Sequence, residues 1–462
     1  MIYDTIAAIA TPIGTGGIGI IRISGRESIA AASLVFRSTA GDASGLPSHT
    51  VHRGSLHHPE TGSLVDEVLL TVYRGPRSYT GEDVVEISCH GGIATLRTAL
   101  EAVLAAGVRL AEPGEFTRRA FLNGKIDLAQ AEAVNDLIRS RTDQARKVAL
   151  RQLGGNLSKA VREVSDGLLN VIAAIEASVD FPDDVPEPDR DWLVGQVSAA
   201  RERVDSLIAT FRSGRVYREG IRVVIAGRVN VGKSSLLNAL LRHARAIVTP
   251  IPGTTRDLIE ESLEIEGIPV VAIDTAGLRP TSDPVESIGV DLARQSVESA
   301  DIVVLVFDIS EGPTQDDIEL LNQVRDRPAI VVLNKVDLLP EEARSLATEE
   351  YAGRLGRSVP VVQTCASSGQ GIDRLEAEIA ALVGSRDIGA ESVLVSNARH
   401  DALLNSAAYS LGQALATLNS GEPIDLTTID LNAARASLGL ITGETASDDL
   451  LDRIFGEFCT GK

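Results

Sequence analysis

Apolar residues change their spacing several times along this chain, and each change marks a different kind of element. From Thr5 to Ser24 the sequence is β-like and glycine-rich, and Val68 to Tyr73 and Val84 to Ser88 are further β-branched runs with Gly and Pro between them. This predicts an α+β domain over residues 1–122. After Phe116 the period lengthens: Ile126, Ala129, Ala133 and Leu137 recur at helical spacing, as do Leu168, Ile172, Ile175 and Val179. Helices are expected over residues 123–216, interrupted by Asp180 to Asp191, where three prolines and six acidic residues make an exposed connection.

From Ile221 the pattern becomes strand, glycine loop and helix. Strands then alternate with helical spacers at Val270 to Ile273, Ile302 to Phe307, Ala329 to Leu333 and Val361 to Thr364, the signature of a parallel doubly wound sheet over residues 217–384. Helical spacing returns over 385–462 in Leu403, Ala407, Leu411 and Leu415, then in Leu431, Ala434 and Leu438. A last helix is expected near Thr445, where Thr445 to Asp448 has the form of a capping box ahead of Leu450, Leu451, Ile454 and Phe455. Helices on both sides of a self-contained α/β unit imply that the unit is inserted into one helical domain.

Composition narrows the function. With 44 basic and 64 acidic residues the formal charge is −20, so the molecule as a whole repels polyanions and is no RNA-coating protein. Cys89, Cys365 and Cys459 are widely separated and form no CxxC pair, which excludes a disulfide framework or zinc site and points to a reducing, cytoplasmic compartment. Met1 to Ala10 has no basic region and too short an apolar stretch for a signal peptide, and no apolar run approaches the roughly 20 residues of a membrane span.

The strand Arg222 to Ala226 leads into Gly227-Arg-Val-Asn-Val-Gly232-Lys233-Ser234, which opens the helix Ser235 to Leu241. This is a phosphate loop in its required setting. The glycines let backbone N–H groups approach a polyphosphate at a helix N-terminus, Lys233 offsets β/γ charge, and the Ser234 hydroxyl can ligate Mg²⁺. The binding run is Asn230, Val231, Gly232, Lys233, Ser234 and Ser235. Downstream, Asp274-Thr275-Ala276-Gly277 ends a strand where an acid can reach the Mg²⁺ shell and Gly277 can flex toward a γ-phosphate. Asn334-Lys335-Val-Asp337 closes the strand Ala329 to Leu333. The Asp337 carboxylate can accept from guanine N1–H and its exocyclic amine, whereas adenine has no N1 donor, so the expected nucleotide is GTP. Cys365-Ala366-Ser367 fits a base-contacting loop. Between these motifs lies Gly253-Thr254-Thr255-Arg256-Asp257, with Thr255 as second Mg²⁺ ligand. Leu278, after Gly277, cannot orient a water as the glutamine of Ras-type GTPases does. The expected fold class is thus α/β and all-α multidomain: an N-terminal α+β domain, then a helical domain interrupted by an inserted Ras-like P-loop GTPase domain.

Asn230 in the phosphate loop, the loop Gly253 to Asp257, Leu278, the run Phe116 to Leu128 and the terminal Phe458-Cys459-Thr-Gly-Lys462 together resemble the MnmE (TrmE) family of bacterial tRNA-modification GTPases, from Thr5 to Lys462. The resemblance implies a homodimeric, K⁺-dependent GTPase. With the FAD-carrying flavoprotein MnmG, it would install aminomethyl or carboxymethylaminomethyl groups at carbon 5 of the tRNA wobble uridine. It places K⁺ on Asn230 with oxygens of Thr249, Ile251 and Thr254, and gives Glu286 the orientation of the attacking water. Without the resemblance Glu286 reads as a solvated acid at a helix start.

The resemblance further implies a one-carbon donor, 5-formyltetrahydrofolate or a related folate, on Arg22, Glu86, Lys125 and Lys462, and a thiol needed for modification at Cys459. By chemistry alone, Cys459 is equally a buried thiol. Two departures from the family pattern are Pro250 and Pro252 in the K⁺ loop and Cys365 where serine is usual. The stretch Thr117 to Arg151 carries eight basic residues (Arg118, Arg119, Lys125, Arg139, Arg141, Arg146, Lys147, Arg151) against four acidic ones, and reads either as a tRNA face or as an ordinary charged helix surface. The alternative function is a ribosome-assembly GTPase switch with no modification chemistry, although no basic and aromatic RNA module is visible.

Overall fold

The computed structural model describes residues 4–39, 41–246, 260–274, 300–325, 327–355, 359–384 and 393–462. Packing divides the chain into two units, residues 1–135 with 438–462, and residues 136–437. Among the described residues no helix is long and apolar enough to cross a membrane.

The first unit is built on a seven-stranded sheet of β1 (Ile6–Ile9), β2 (Ile18–Ser24), β3 (Phe36–Arg37), β4 (Thr50–His57), β5 (Leu64–Tyr73), β6 (Val84–His90) and β7 (Arg109–Leu110), in the order β3-β4-β5-β6-β2-β1-β7. All pairs are antiparallel except β1 with β7. Period-two alternation sorts β5: Val68, Leu70 and Val72 are buried while Glu67, Leu69 and Thr71 face the other way. The helices α1 (Ser28–Val35) and α2 (Ile93–Ala105) cover the apolar face, joining Ala32, Val35, Leu96 and Val103 to the sheet core. Gly19 is what lets α2 close on β2, since a Cβ there would lie 2.5 Å from the Leu96 methyls.

The C-terminal segment belongs to this unit. From α15 (Asp448–Gly456), Leu451, Phe455 and the following Phe458 pack with Phe121, Ile126, Leu128 and Ala131. Burying each such side chain is worth about 1.5–3 kcal/mol. The helix begins later than its expected start at Thr445: Ser447 is the N-cap, and its hydroxyl accepts from the Leu450 amide three residues on. Beyond it the chain runs alongside the strand ends. Thr460 bridges Pro113, and the Phe116 amide donates to the Lys462 carbonyl at 3.1 Å.

In the second unit α5 (Asp143–Leu153), α6 (Asn156–Asp180), α7 (Arg190–Ile208), α8 (Phe211–Glu219) and α13 (Ala398–Ser420) are helical, joined by α14 (Thr427–Thr442), which continues into the first unit. The expected periodicity holds in α6 for Leu168, Ile172 and Ile175, which point inward, and fails at Val179, exposed at the helix end.

Between α8 and α13 lies a sheet of β8 (Ile221–Ala226), β9 (Arg245–Ala246), β10 (Glu260–Ile265), β11 (Ile268–Asp274), β12 (Ile302–Asp308), β13 (Ala329–Asn334) and β14 (Val361–Gln363), in the order β14-β13-β12-β8-β11-β10-β9. Five strands are parallel, and β10 and β9 add antiparallel pairs that the run of apolar strands did not announce. Helices on both faces bury β12 and β13 along their whole length, which explains their unbroken apolar runs. Val148 of α5 and Leu394 join Val216, Tyr217 and Ile221 in the core on one face of this sheet, so the sheet and its flanking helices share packing.

Charge in the first unit is spent internally. Arg119, 7% exposed, donates to the Asp4 and Glu115 carboxylates at 2.8 and 2.9 Å and sits 3.2 Å from Glu82. Arg109 closes the same network at 2.7 Å from both Asp4 and Glu115. Arg118 pairs with Asp452 at 2.7 Å. The basic stretch read as a tRNA face therefore loses two members, because Arg118 and Arg119 neutralise acids of their own unit. Burial pushes the Glu115 carboxyl up, but Arg109, the Glu112 amide and Arg119 outweigh it and hold the group below its ordinary 4.5. Its stabilising effect is therefore complete above that value and lost as pH falls through the lower folded value. Arg119→Met should cost about 1.5–3 kcal/mol at neutral pH by removing one charged hydrogen-bond donor from the buried Glu115 carboxylate, which keeps Arg109. Urea unfolding should show this deficit shrinking below pH 4.5 as Glu115 protonates.

Candidate functional site

Local backbone requirements build the phosphate loop. After β8, Gly227 and Gly232 take φ of 155° and 99°, and Asn230 adopts a left-handed φ of 67°. Space forbids side chains at both glycines: a Cβ on Gly227 would lie 2.3 Å from the Val306 carbonyl oxygen, and one on Gly232 would lie 2.3 Å from Asn334 Nδ2. The helix α9 (Lys233–His243) starts two residues earlier than its expected Ser235, so the Lys233 and Ser234 side chains project from its first turn. Lys233 is buried and its Nζ donates to the carbonyls of Gly227 and Arg228, each at 2.8 Å, fixing the curvature of the loop. Ser234, Ser235 and Asn230 are exposed on it. A cradle of amides at a helix N-terminus with a buried ammonium and an adjacent hydroxyl fits a Mg²⁺-bound polyphosphate.

The base-reading end is coupled to this loop by one side chain. Asn334, buried at the tip of β13, donates through Nδ2 to the Val231 carbonyl at 2.9 Å, while its Oδ1 accepts from Thr364 Oγ1 and the Ala366 amide, both at 3.1 Å. Lys335 follows with a left-handed φ of 66°, and its Nζ lies 2.6 Å from Asp308 Oδ2. Burial raises the Asp308 carboxyl, but Lys335 and Ser310 more than reverse this, so it stays anionic and holds the lysine. The Asp337 carboxylate accepts from the Cys365 thiol at 3.1 Å, so the cysteine that stands where serine is usual donates to the base-reading acid. Thr364 and Asp308 were not singled out from the sequence. Asp308 had a signal, an acid closing an apolar strand; Thr364 had none.

In the first unit, cross-strand register sets Arg22 of β2 directly opposite Glu86 of β6. The guanidinium is 2.8 Å from Glu86 Oε1 and also donates to the Gly461 carbonyl at 3.2 Å. It lies over the rings of Tyr79 and Phe116, 5.4 and 5.7 Å from their centroids. Lys462 joins the group: partial burial and the neighbouring Arg22 lower its ammonium pKa, against the pull of Glu86. The structure thus brings Arg22, Glu86 and Lys462 together. The Lys125 Nζ donates to the Pro76 carbonyl at 3.0 Å. Cys459 is exposed, with its carbonyl accepting from the Gly114 and Lys462 amides. Tyr79 was not legible in the sequence as part of this cluster. A carboxylate, two cations and the exposed Tyr79 ring suit a flat heterocycle with a donor edge and an anionic tail.

Asp274 ends β11, and its side chain is outside the described residues. Thr249, Ile251, Thr254, Thr255, Thr275, Ala276, Gly277 and Glu286 also lie outside them.

Comparison with known proteins bears on both units. Residues 5–125 match the family model described as GTP-binding protein TrmE N-terminus, and residues 128–459 match that of the MnmE helical domain. Over its whole length the chain is similar to proteins named tRNA modification GTPase MnmE. It is 47% identical to that of Geobacillus kaustophilus, covering 99% of it, and 48% identical to that of Moorella thermoacetica, covering 100% of it. Identity to the Enterococcus faecalis protein is 44% over 99% of its length.

The geometry at Asp337 generates a test. Asp337→Asn replaces an acceptor pair by one acceptor and one donor, which mismatches guanine and matches the N1–H and C2 carbonyl of xanthine. Each hydrogen bond to a charged group is worth about 1.5–3 kcal/mol. Titration with fluorescent nucleotides should show guanine affinity falling at least about a hundredfold and xanthine affinity rising. Unchanged guanine binding would remove Asp337 from the site.

Proposed function

Because this chain belongs to the MnmE family of tRNA modification GTPases, we propose that it couples K⁺-dependent GTP hydrolysis to modification of carbon 5 of the wobble uridine, acting as a homodimer with a flavoprotein partner, MnmG, that carries FAD. The observation that carries the nucleotide part is the Asn334 clamp, which ties the phosphate-binding backbone to the end of the strand that leads into Asp337. In this reading Lys233 and the loop amides bind the phosphates, Ser234 and Thr255 hold Mg²⁺, and Asp337 selects guanine. Asn230, with oxygens of Thr249, Ile251 and Thr254, holds K⁺. Bound there, a monovalent cation supplies the positive charge that an arginine finger supplies elsewhere. Glu286 orients the attacking water, and Asp274 to Gly277 carry the γ-phosphate response.

The second half of the proposal concerns the one-carbon unit. Supporting it is the Arg22, Glu86 and Lys462 cluster, with Tyr79 beside it and the buried Phe116 behind Arg22. Glu86 accepts from the amide-and-amine edge of a pterin, and Arg22 and Lys462 attract the glutamate tail of 5-formyltetrahydrofolate or a related folate. Cys459, within the same C-terminal turn, is assigned to the modification chemistry. Lys125 extends the cationic side of the site. The chain's charge of −20 implies weak tRNA affinity alone and stronger binding with the partner.

GTP turnover measured in KCl should exceed that in NaCl and rise with protein concentration. Equal rates in both salts would remove the K⁺ mechanism and favour an assembly switch. Glu286→Ala should abolish hydrolysis while GTP binding persists; loss of binding would make its role structural. Deleting Lys462 should weaken folate binding by calorimetry and leave the GTPase rate unchanged, an outcome that normal folate titration would contradict.

A further inference from the structure

One end of the helical bundle in the second unit exposes four large apolar side chains together. At the end of α6, Val179 and the following Phe181 are 51% and 59% exposed, Trp192 in the first turn of α7 is 44% exposed, and Leu426 is 43% exposed. Trp192 is the chain's single tryptophan. These residues share one end of the bundle: the turn Ile424–Leu426 packs against α6, and Arg190 donates from the start of α7 to the Leu418 and Glu422 carbonyls at 2.7 and 2.8 Å. The inward line of α6, Leu168, Ile172 and Ile175, already satisfies the bundle core. Val179 and Phe181 are therefore not needed for packing within the unit.

The charge around this apolar end has one sign. Asp180, Asp183, Asp184, Glu187, Asp189 and Asp191 are exposed in the connection, and Glu422 and Asp425 in the facing turn. Arg190 is the one cation in both segments, and its guanidinium is committed to backbone carbonyls. Eight carboxylates around exposed Phe and Trp exclude a phosphate backbone or an anionic membrane as the occupant, since both would be repelled. They fit a basic protein surface with an apolar socket, because aromatic anchors supply contact energy and opposite charge supplies steering. A molecule of charge −20 that acts on tRNA needs its partner to supply the cationic surface that holds the RNA.

We propose that this acidic, aromatic end of the bundle, centred on Phe181 and Trp192, docks the basic surface of the flavoprotein partner. The inference rests on the reading that such a partner exists, and deepens it by naming the surface. Docking buries Phe181 and Trp192 and neutralises part of the acidic connection, so it weakens with salt. The nucleotide and one-carbon residues take no part in it.

The test uses the full chain and the purified flavoprotein. Binding is followed by the fluorescence of Trp192, read against the flavoprotein alone, and by light scattering. A triple variant, Phe181→Ser with Asp183→Lys and Asp184→Lys, changes only exposed positions in the connection. It should weaken complex formation at least tenfold while K⁺-stimulated GTP turnover and GDP affinity of the isolated chain stay unchanged. A photo-crosslinker in place of Phe181 should capture the flavoprotein, and one in place of exposed Leu346 should not. A wild-type complex that the triple variant forms equally well, with no crosslink from position 181, would overturn the docking surface and leave the partner reading intact. Failure of the wild-type chain to form any complex would remove both. Capture of tRNA rather than protein at position 181 would also overturn the inference.

Discussion

The side-chain amide of Asn334 holds the nucleotide module in register. It reaches the Val231 carbonyl in the phosphate loop, and the Thr364 hydroxyl and Ala366 amide in the loop after the last strand. Two segments far apart in sequence are thereby fixed to one buried group at the tip of a strand covered on both faces. The close approach explains why Gly232 tolerates no side chain: its Cβ would occupy the space of the amide nitrogen. A buried amide whose nitrogen and oxygen are both paired costs little and specifies much, because any shift of the loop leaves a polar group unpaired in a low-dielectric interior. The chemistry at both ends of the nucleotide thus depends on one rigid joint.

The two units use charge in different ways. In the first, Asp4, Glu82, Glu115, Arg109 and Arg119 form a half-buried network that joins the β1 edge to the helix carrying Phe116. Phe116 in turn faces Arg22, so the network stands directly behind the candidate one-carbon cluster. In the second unit the acids of the Asp180 to Asp191 connection are left exposed. Net charge alone, a single number for the chain, could not distinguish acids that hold a fold together from acids that present a surface.

Much of the fold was legible because its backbone demands are written in residue types. Glycines at Gly227 and Gly232 mark φ values that other residues resist, and the unbroken apolar runs of β12 and β13 mark strands covered on both faces. The antiparallel strand β10, Glu260–Ile265, was missed because its alternating acids read as a polar spacer. In the first unit the pairing of Arg22 with Glu86 depends on the register of β2 against β6, 64 residues apart, and only the resemblance to a family marked those positions. Arg118 and Arg119 were counted toward a nucleic-acid face because a count of charges carries no information about partners. Ser447 rather than Thr445 caps the last helix because capping is decided by which hydroxyl reaches a free amide.

The shared core of Val148, Leu394, Val216, Tyr217 and Ile221 has a consequence for dissecting the molecule. An insertion is often pictured as a bead that can be snipped out at its two threads. Here scissors placed at residues 217 and 384 would cut through packed side chains, baring Ile221 and its neighbours to water on the excised piece. The natural fragment is larger than the sheet, and a stable excision would have to carry along Val148 of α5 and Leu394, which share its core.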